Sequence, residues 1–311
     1  MIVTGGAGFI GSNFINYWLK RHKDDSIVNI DMLTYASNPD FINKEQYGDR
    51  YTLIRTDICD RELIMQHAKG VDTIINFAAE SHVDNSINNP EQFLHSNYMG
   101  VFSLLEAVKK YDIRYHQIST DEVYGSLPLN SATKFDENTK YNPRNPYSAT
   151  KAAADFLVNS YINTYGIRAT ISNCSNNYGP HQHEEKLIPK TIRHALSGEN
   201  IPVYGRGNQI RDWIYVEDHC SAVESIIEKG RIGETYLVSS RNELENLQVV
   251  KSILSYMNKS EDMIQFVKDR PGHDEHYAID PSKIERETGW KPKHDFEEGL
   301  KKTIEYYLGE K

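Results

Sequence analysis

Two groups of residues in the sequence could carry out acid–base chemistry, and the first is a tyrosine–lysine pair. Tyr147 and Lys151 are four residues apart, just after Pro146, so on a helix they lie on one face. A phenol has a pKa of about 10, and a neighbouring ammonium can lower that pKa until the side chain acts as a base. Because such pairs are also common on solvent-exposed helices, this pair needs support from its context.

The second group is a polar step that follows the β-rich segment Arg114–Ile118. Ser119, Thr120, Asp121 and Glu122 supply hydroxyls and two carboxyls at this point. Open α/β sheets bind their ligands at the carboxyl ends of the strands, so the step is expected at a ligand site. Two carboxyls with opposite duties need surroundings that keep one protonated and the other ionised. By itself, the step could equally be a polar loop at a helix N-terminus.

A glycine-rich turn near the start of the chain could bind a dinucleotide. Gly6, Gly8 and Gly11 match the spacing Gly-x-Gly-x-x-Gly, and Gly5, Gly8 and Gly11 match a wider spacing, directly after the apolar run Ile2–Val3. Glycine allows a tight turn, leaves room for a pyrophosphate, and lets the helix pack close to the strand with its N–H groups facing the anion. The alternative is an ordinary glycine turn.

Acidic residues after the next two apolar runs favour NAD. Asp31 lies twenty residues after Gly11, where a carboxylate can accept hydrogen bonds from the adenosine ribose. No arginine is adjacent, so the 2′-phosphate of NADP would meet a carboxylate without a positive partner. Asp57 and Ile58 could contact the adenine, although such a pair more often begins a helix.

Elements that would position these residues follow a regular order. Short β-rich runs alternate with helical segments up to about residue 175, and several runs are almost continuously apolar. We therefore predict an α/β fold, a Rossmann-type doubly wound parallel sheet with a smaller α/β C-terminal substrate domain. The predicted strands are Ile2–Val3, Ser26–Ile30, Tyr51–Arg55, Thr73–Phe77, Arg114–Ile118, Arg168–Asn173 and Glu234–Val238. The predicted helices are Ile10–Arg21, Arg61–Lys69, Pro90–Lys110 and Tyr147–Tyr165.

Composition narrows the class of protein further. The 311 residues include 44 acidic and 35 basic side chains, a net charge of −9, which disfavours nonspecific nucleic-acid binding. No apolar run approaches the ~20 residues of a membrane span, and no secretory signal precedes the first strand, so we expect a cytoplasmic protein with no membrane partner. That strand is short, and residues before it could be missing. Cys59, Cys174 and Cys220 fit no metal or disulfide spacing and are expected to be reduced and buried.

Taken together, the motifs resemble the extended short-chain dehydrogenase/reductases, and within them the NAD-dependent sugar-nucleotide epimerases and dehydratases. The resemblance covers nearly the whole chain. The glycine turn and the Tyr147/Lys151 pair are shared across the family, whereas Thr120-Asp121-Glu122 resembles the dehydratases in particular. The other segments that carry the resemblance are residues 78–84, 176–180, 211–213 and 270–274.

This resemblance implies conversion of dTDP-glucose to its 4-keto-6-deoxy derivative and water, as in dTDP-L-rhamnose biosynthesis, with NAD oxidised and reduced in turn. It implies that Tyr147 takes the proton of the sugar 4-hydroxyl, that Lys151 holds the cofactor ribose and lowers the pKa of Tyr147, and that Thr120 binds the 4-oxygen. Glu122 would remove the C5 proton, and Asp121 would protonate the departing C6 hydroxyl.

Binding residues, domains and assembly are also implied by the resemblance. The NAD-binding residues would be Gly5, Gly8, Phe9, Ile10, Gly11, Asp31, Met32, Leu33, Thr34, Asp57, Ile58, Ala78, Ala79, Glu80, Ser81, Ser96, Tyr147, Lys151 and Asn177. The substrate-binding residues would be Ser81, Thr120, Asn176, Lys186, Leu187, Pro202, Val203, Tyr204, Arg211, Asn246, Asp269, Arg270, Pro271, Gly272 and His273. We predict an NAD-binding domain of residues 1–175 plus about 208–240, and a sugar-nucleotide-binding domain of residues 176–207 plus 241–311. A homodimer is expected through the helices Pro90–Lys110 and Tyr147–Tyr165.

Alternatives to this interpretation stay open. One is an epimerase or dehydratase that acts on UDP- or CDP-sugars; an epimerase needs no acid to expel a C6 hydroxyl, so Asp121 and Glu122 disfavour it. Another is a catalytically silent NAD-binding regulatory protein, which the intact acids and the Tyr147/Lys151 pair disfavour. The segment 181–185, His-Gln-His-Glu-Glu, departs from the family pattern, but alternating histidines on a polar loop are a weak metal signal, and we predict no metal.

Overall fold

The computed structural model describes residues 1–269 and 273–309 of the chain. Its strands are β1 (Ile2–Thr4), β2 (Ile27–Asp31), β3 (Tyr51–Arg55), β4 (Thr73–Asn76), β5 (Arg114–Thr120), β6 (Ala169–Cys174), β7 (Asn176–Tyr178), β8 (Ile201–Tyr204), β9 (Ile210–Tyr215), β10 (Thr235–Val238), β11 (Glu243–Glu245) and β12 (Ile264–Val267). Its α-helices are α1 (Phe9–Arg21), α2 (Lys44–Tyr47), α3 (Arg61–Ala68), α4 (Val83–Asn88), α5 (Pro90–Leu94), α6 (Gly100–Tyr111), α7 (Pro146–Tyr165), α8 (Leu187–Ser197), α9 (Val216–Lys229), α10 (Asn246–Tyr256), α11 (Ser282–Thr288) and α12 (Phe296–Leu308).

A seven-stranded sheet forms the centre of the fold, in the order β10-β6-β5-β4-β1-β2-β3. Every neighbouring pair in it is parallel. The order reverses between β1 and β4, which opens a crevice at the carboxyl ends of these strands. The predicted α/β, doubly wound fold class is therefore confirmed, and each of the seven predicted strands is present with its ends shifted by at most two residues.

Apolar side chains cover the sheet on both faces. Ile74 of β4 packs in one cluster with Leu104 of α6, and Ile75 packs on the opposite face with Phe14 of α1 and Val223 of α9. Successive strand residues point to opposite faces, so a strand with helices on both sides must be apolar throughout. This is the physical reason for the continuous apolar runs in the sequence.

Beyond the central sheet, the described residues form two small sheets. One has the order β11-β9-β7, with β11 antiparallel and β7 parallel to β9, and the other pairs β12 with β8 in parallel. A separate apolar cluster, which includes Tyr178, Ile192, Trp213, Val249 and Leu300, packs this part of the molecule. These sheets lie in the C-terminal part of the chain, where the regular βα order of the sequence ends.

The predicted helix Pro90–Lys110 is interrupted, which corrects the sequence interpretation. A π-helical turn, His95–Met99, separates α5 from α6. It turns Asn97 inward, where its amide bonds the backbone N and O of Glu80 at 2.9 and 3.0 Å and the Thr150 hydroxyl at 3.0 Å. Single π turns of this kind occur frequently at functional sites.

Two further findings concern the cysteines and the membrane. Cys59, Cys174 and Cys220 are all free thiols; the last two are buried, but Cys59 is partly exposed, contrary to expectation. Cys59 lies in the turn just before α3, outside the packed sheet. In the described ranges, no helix has the length and apolar character that crossing a bilayer requires.

Candidate active site

A cavity of about 330 Å³ lies at the carboxyl edge of the central sheet, next to the point where the strand order reverses. All five predicted catalytic residues line it, and so do all the predicted NAD-binding residues except Leu33. Leu33 instead takes a positive φ of 58° and donates its N–H to Asp31. The residues that line the cavity and were not predicted are Ile30, Ala36, Ser37, Thr56, Phe77, Ile118, Ser119, Cys174, Ser175, Gln182, His183 and Glu185.

The glycine turn forms one wall of this cavity. Gly5 has a φ of +67°, and a Cβ there would lie 2.6 Å from the Ala78 Cα; a Cβ at Gly11 would lie 2.3 Å from the Gly5 carbonyl oxygen. Both positions therefore need glycine for the fold itself. Gly8 differs, because a Cβ there would approach only the Gly5 oxygen, at 3.3 Å, within the described chain. Gly8 is the residue that caps α1, and the helix N-terminus beside it is suited to a phosphate.

Asp31 ties the loop after β2 to this turn. Its Oδ2 accepts a hydrogen bond from the Ala7 N–H at 2.9 Å, and its Oδ1 accepts from the Leu33 N–H at 2.8 Å and from the Ser37 hydroxyl at 3.0 Å. These bonds hold the carboxylate at the rim, where it lines the cavity. The position fits a ribose hydroxyl that arrives from the cavity side.

Asp57 is held in a similar way at the far end of the cavity. Its carboxylate accepts from the Cys59 N–H at 2.8 Å and lies 2.8 Å from the His95 Nε2. Burial alone would raise the pKa of Asp57, but these two partners outweigh burial and lower it. The side chain is therefore an ionised hydrogen-bond acceptor that lines the cavity with Ile58 and Ser96, and it could accept from the amino group of an adenine.

The start of α7 places the tyrosine–lysine pair. Asn145 and Ser148 form a reciprocal capping box around Pro146, which fixes where the helix begins. The Lys151 ammonium donates to the Ile118 carbonyl oxygen at 2.6 Å, and both Tyr147 and Lys151 are buried. The sequence spacing and the capping box thus bring the phenol and the ammonium to one wall of the cavity.

The electrostatic surroundings of this pair differ from the expected lowering of the tyrosine pKa. Burial, and then the Glu122 charge, raise the pKa of Tyr147 well above its usual value, whereas burial lowers the pKa of Lys151. A base at neutral pH therefore needs more positive charge beside the phenol than the chain itself supplies, as an oxidised nicotinamide ring would provide.

The acid pair follows directly after Thr120, the last residue of β5. Asp121 and Glu122 start a short 3₁₀ turn, and the Thr120 hydroxyl caps it by accepting from the Glu122 N–H at 3.3 Å. Burial, followed by the charges of Glu122 and Asp212, raises the pKa of Asp121 well above its usual range. Glu122 is only partly buried and accepts from the Asn145 amide at 3.3 Å. The two adjacent carboxyls thus occupy different surroundings, as an acid and a base require.

Several predicted substrate residues lie outside this cavity, in a second group near the two small sheets. Arg211 is buried, donates to the Ile210 and Asp274 carbonyl oxygens at 2.8 Å each, and lies 4.3 Å over the Tyr277 ring. Burial and then the Glu122 charge raise the pKa of Tyr277, while Arg211 opposes them, so this group adjoins the acid pair. The predicted substrate residues that do not line the cavity are Leu187, Pro202, Val203, Tyr204, Arg211, Asn246, Asp269 and His273. Arg270, Pro271 and Gly272 lie outside the described residues.

Within the second group, polar contacts hold β8 near the chain that follows β12. Asp269 accepts from the Gln209 amide at 3.0 Å and lies 2.6 Å from the His273 Nδ1. The Tyr204 ring is partly exposed and meets the His273 ring edge-on, at 6.2 Å between centroids. Two other predicted substrate residues, Lys186 and Asn176, line the cavity itself.

The His-Gln-His-Glu-Glu loop borders the same cavity. His181 lies 2.8 Å from the Ser12 hydroxyl and stacks on Phe41 at 4.1 Å, and burial lowers its pKa to about 4. It is therefore a neutral packing residue against α1. Gln182 and His183 line the cavity, which the sequence could have indicated only through the neighbouring predicted residues Asn177 and Lys186.

Unpaired buried polar atoms provide a test of whether NAD and a sugar fit here. Asp121 Oδ2, Ser175 Oγ and Asn176 Oδ1 have no hydrogen-bond partner among the residues that the structure describes, and all three residues line the cavity. Buried polar groups are normally hydrogen-bonded, so these atoms indicate a polar ligand. The N–H groups of the helix N-terminus at Gly8 can donate to a pyrophosphate, and the carboxylates of Asp31 and Asp57 can accept from a ribose or a base, so these groups fit a dinucleotide.

Fold and cavity together define a Rossmann-type dinucleotide-binding protein with an acid–base site beside the cofactor. The GDP-mannose 4,6 dehydratase family matches residues 2–303, and the chain belongs to this family of extended short-chain dehydrogenase/reductases.

The relatives are similar over nearly their whole length. The dTDP-glucose 4,6-dehydratase of Mycobacterium tuberculosis (strain CDC 1551 / Oshkosh) is 52% identical over 308 residues, which cover 99% of this chain and 92% of that protein. The structure of DesIV, the dTDP-glucose 4,6-dehydratase of Streptomyces venezuelae, was solved with NAD and dTDP bound. It matches with a TM-score of 0.96 at 38% identity, covering 99% of this chain and 96% of that one. The UDP-glucose 4-epimerase of Thermus thermophilus, with NAD, matches at a TM-score of 0.91 and 25% identity over 99% and 98% of the two chains.

Proposed function

We propose that this chain is a dTDP-glucose 4,6-dehydratase, a lyase that forms the 4-keto-6-deoxy sugar nucleotide and water. The observation that carries the proposal is the acid pair: Asp121 and Glu122 stand at the same cavity wall as Tyr147 and Lys151. An epimerase shares the fold and the tyrosine–lysine pair but has no step that expels a hydroxyl. The identity to dehydratases of the family, about half of all positions over the full chain, supports the same activity.

The first part of the reaction needs a base at the 4-hydroxyl. Tyr147 accepts that proton, and the Thr120 hydroxyl, at the end of β5, binds the 4-oxygen. Lys151 is held against the Ile118 carbonyl oxygen, where its charge favours the phenolate and its remaining N–H groups can bind a ribose. When bound, NAD would supply the hydride chemistry: it would take a hydride from C4 and return it to C6, while C5 regains a proton.

The elimination of water uses the two carboxyls in different roles. A ketone at C4 acidifies the C5 hydrogen, which Glu122 removes as general base from its partly exposed position. Burial and neighbouring charges raise the pKa of Asp121, so it is the carboxyl suited to carry a proton, which it gives to the departing C6 hydroxyl. The buried and the half-buried carboxyl therefore divide the acid and base duties.

We also propose that one part of the chain binds NAD and another part binds the sugar nucleotide. Residues 1–175 and about 208–240 would hold NAD through the glycine turn, Asp31 and Asp57. Residues 176–207 and 241–311 would hold the nucleotide, with the exposed Tyr204 ring offered to the base. The buried Arg211, from the segment 208–240, would reach the same nucleotide near the acid pair.

A homodimer and a cytoplasmic location complete the proposal. The helices α5, α6 and α7 and the π turn between them carry exposed apolar side chains, among them Leu94, Met99 and Phe156, the last with 61% of its surface exposed. Burial of these side chains against a second copy is consistent with the predicted helix-mediated dimer. Sedimentation of the purified protein as a monomer would contradict the dimer. Free thiols at all three cysteines agree with a reducing compartment.

One assay tests the activity and the nucleotide preference together. The purified protein is incubated separately with dTDP-glucose, UDP-glucose and CDP-glucose, and the products are identified by NMR. We expect a 4-keto-6-deoxy product from dTDP-glucose with no net formation of NADH. The matched control is Asp121→Asn, which keeps the shape of the side chain but removes the acid, and it should form little of this product. A C4 epimer as sole product would reject the dehydratase.

A further inference from the structure

Asp155 is a buried carboxyl that the reaction described above does not use. It lies on α7 one helical turn after Lys151 and has none of its surface exposed. Its Oδ2 accepts three hydrogen bonds, from the Ser119 hydroxyl at 2.6 Å, the Tyr141 hydroxyl at 3.1 Å and the Asn173 amide at 3.3 Å. Its Oδ1 has no hydrogen-bond partner within residues 1–269 and 273–309. Burying a carboxylate in this way costs free energy of folding, so we expect the carboxylate to contribute to the function of the site.

The partners of Asp155 connect it to the end of β5. Ser119 lies between Thr120 and Ile118, whose carbonyl oxygen accepts a hydrogen bond from Lys151. The Asn173 amide, which donates to Asp155, also donates to the Thr120 carbonyl oxygen at 3.1 Å. One carboxylate therefore holds together α7, β5 and β6 where Lys151 and Thr120 enter the cavity.

We propose that Asp155 is a positioning residue for the reaction. It holds Ser119 and Asn173 at the end of β5 and supplies the negative charge that keeps the buried Lys151 in its ammonium form. The proposal rests on the proposed function, because the charge of Lys151 matters through its effect on Tyr147.

The charges around the two residues support this role. Burial lowers the pKa of Lys151, and the opposing charge of Asp155, followed by that of Cys174, raises it. Burial raises the pKa of Asp155 to about 6, although Ser119 and Lys151 oppose that shift. Asp155 is thus ionised above about pH 6, where the reaction needs the lysine charged. The other titratable groups that face Asp155 are Tyr115 on β5, Tyr124 in the turn after β5, and Tyr141 before α7.

The test compares two variants of the NAD-loaded enzyme. Asp155→Asn keeps the size of the side chain and an oxygen for the three donors but removes the charge. Tyr141→Phe removes one donor and keeps the charge, so it serves as the matched control. The readout is the pH profile of kcat and KM with dTDP-glucose.

We expect the alkaline limb of the kcat profile of Asp155→Asn to move to lower pH by at least about one unit, because Lys151 loses its proton sooner. KM should change less than kcat, since no contact to substrate is removed. Tyr141→Phe should keep the profile of the unaltered enzyme, and Asp155→Glu, which restores the charge, should recover most of the shift. A lower kcat with an unchanged profile in Asp155→Asn would overturn the proposal and leave a structural role.

Thermal unfolding as a function of pH provides a readout that does not depend on activity. A carboxyl whose pKa is raised in the folded state destabilises the fold as the pH rises through that pKa. The melting temperature of Asp155→Asn relative to the unaltered protein should therefore rise between about pH 4 and pH 8. A relative melting temperature that still rises above about pH 8 would mean that Asp155 is protonated where the reaction needs its charge, and would overturn the proposal. If the unaltered enzyme converts no nucleotide sugar, the proposed function fails, and this melting comparison still tests the charge of Asp155.

Discussion

Replacing Gly8 with alanine is expected to weaken NAD binding while leaving the fold intact, whereas Gly11→Ala should destabilise the fold itself. The two glycines belong to the same turn and differ in what an added methyl group would meet. At Gly11 the methyl carbon would lie 2.3 Å from the Gly5 carbonyl oxygen and 2.8 Å from the Gly6 Cα. At Gly8 it would meet the Gly5 oxygen at 3.3 Å and otherwise point toward the cavity that Gly8 lines.

The size of each effect follows from these distances. Both neighbours of Gly11 are backbone atoms that cannot rotate away, so overpacking should cost about 1–3 kcal/mol of the free energy of unfolding. Gly8 has a φ of −82°, which any residue adopts, so the cost is that of alanine at a helix N-cap, about 1 kcal/mol or less. A methyl group in the path of the pyrophosphate should weaken NAD binding at least about tenfold, equivalent to about 1.4 kcal/mol.

Two measurements on each variant separate these effects. Urea unfolding of the NAD-free protein reports the free energy of unfolding, and calorimetric titration with NAD reports the dissociation constant. The reasoning would be refuted if Gly8→Ala bound NAD as tightly as the unaltered protein, or if Gly11→Ala were as stable as Gly8→Ala. In the first case the pyrophosphate would lie elsewhere in the cavity.

Three further predictions concern the acid–base groups. Glu122→Gln should keep the oxidation at C4, seen as NADH absorbance, and lose the elimination of water; normal dehydration by this variant would place the base elsewhere. Tyr147→Phe should lower kcat by about 10²–10⁴-fold and form no NADH in a single turnover, because the 4-hydroxyl proton has no acceptor. Burial raises the pKa of Asp212 to about 6, so this carboxyl should destabilise the fold as the pH rises from about 4 to 8, by up to about 3 kcal/mol. The free energy of unfolding of Asp212→Asn, measured in urea relative to the unaltered protein, should therefore increase over that range. A flat difference would contradict the raised pKa.

The features that the sequence predicted best are those set by short-range patterns. Continuous apolar runs predict strands that helices cover on both faces, and Ile74 and Ile75 pack on opposite faces of the sheet as this requires. Because parallel strands present their carboxyl ends at one edge, polar residues at the ends of separate strands, such as Asp31 and Asp121, reach the same edge of the sheet. That geometric rule is why most of the cavity wall could be predicted.

The features that the sequence did not predict depend on contacts between distant segments. In the sequence, the helical pattern of residues 90–110 shows no break at the π turn. The structure accounts for the turn by the hydrogen bonds that it lets Asn97 make with Glu80 and Thr150. Asp155 is an ordinary polar residue of a helix until β5 and β6 bring Ser119 and Asn173 against it. Similarly, the position of Pro202, Val203 and Tyr204 outside the cavity depends on the pairing of β8 with β12, which joins segments about sixty residues apart.

Transfer of the hydrogen from C4 of the sugar to C6 is the measurement that tests the central claim most directly. The enzyme is incubated with dTDP-glucose that carries deuterium at C4, and the product is examined by NMR and mass spectrometry. Because one cofactor takes the hydride from C4 and returns it to C6, with Tyr147, Asp121 and Glu122 beside it, we predict that the deuterium reappears in the C6 methyl group of the same molecule. Deuterium that is lost to the solvent, or that is still at C4 in the product, would contradict the account.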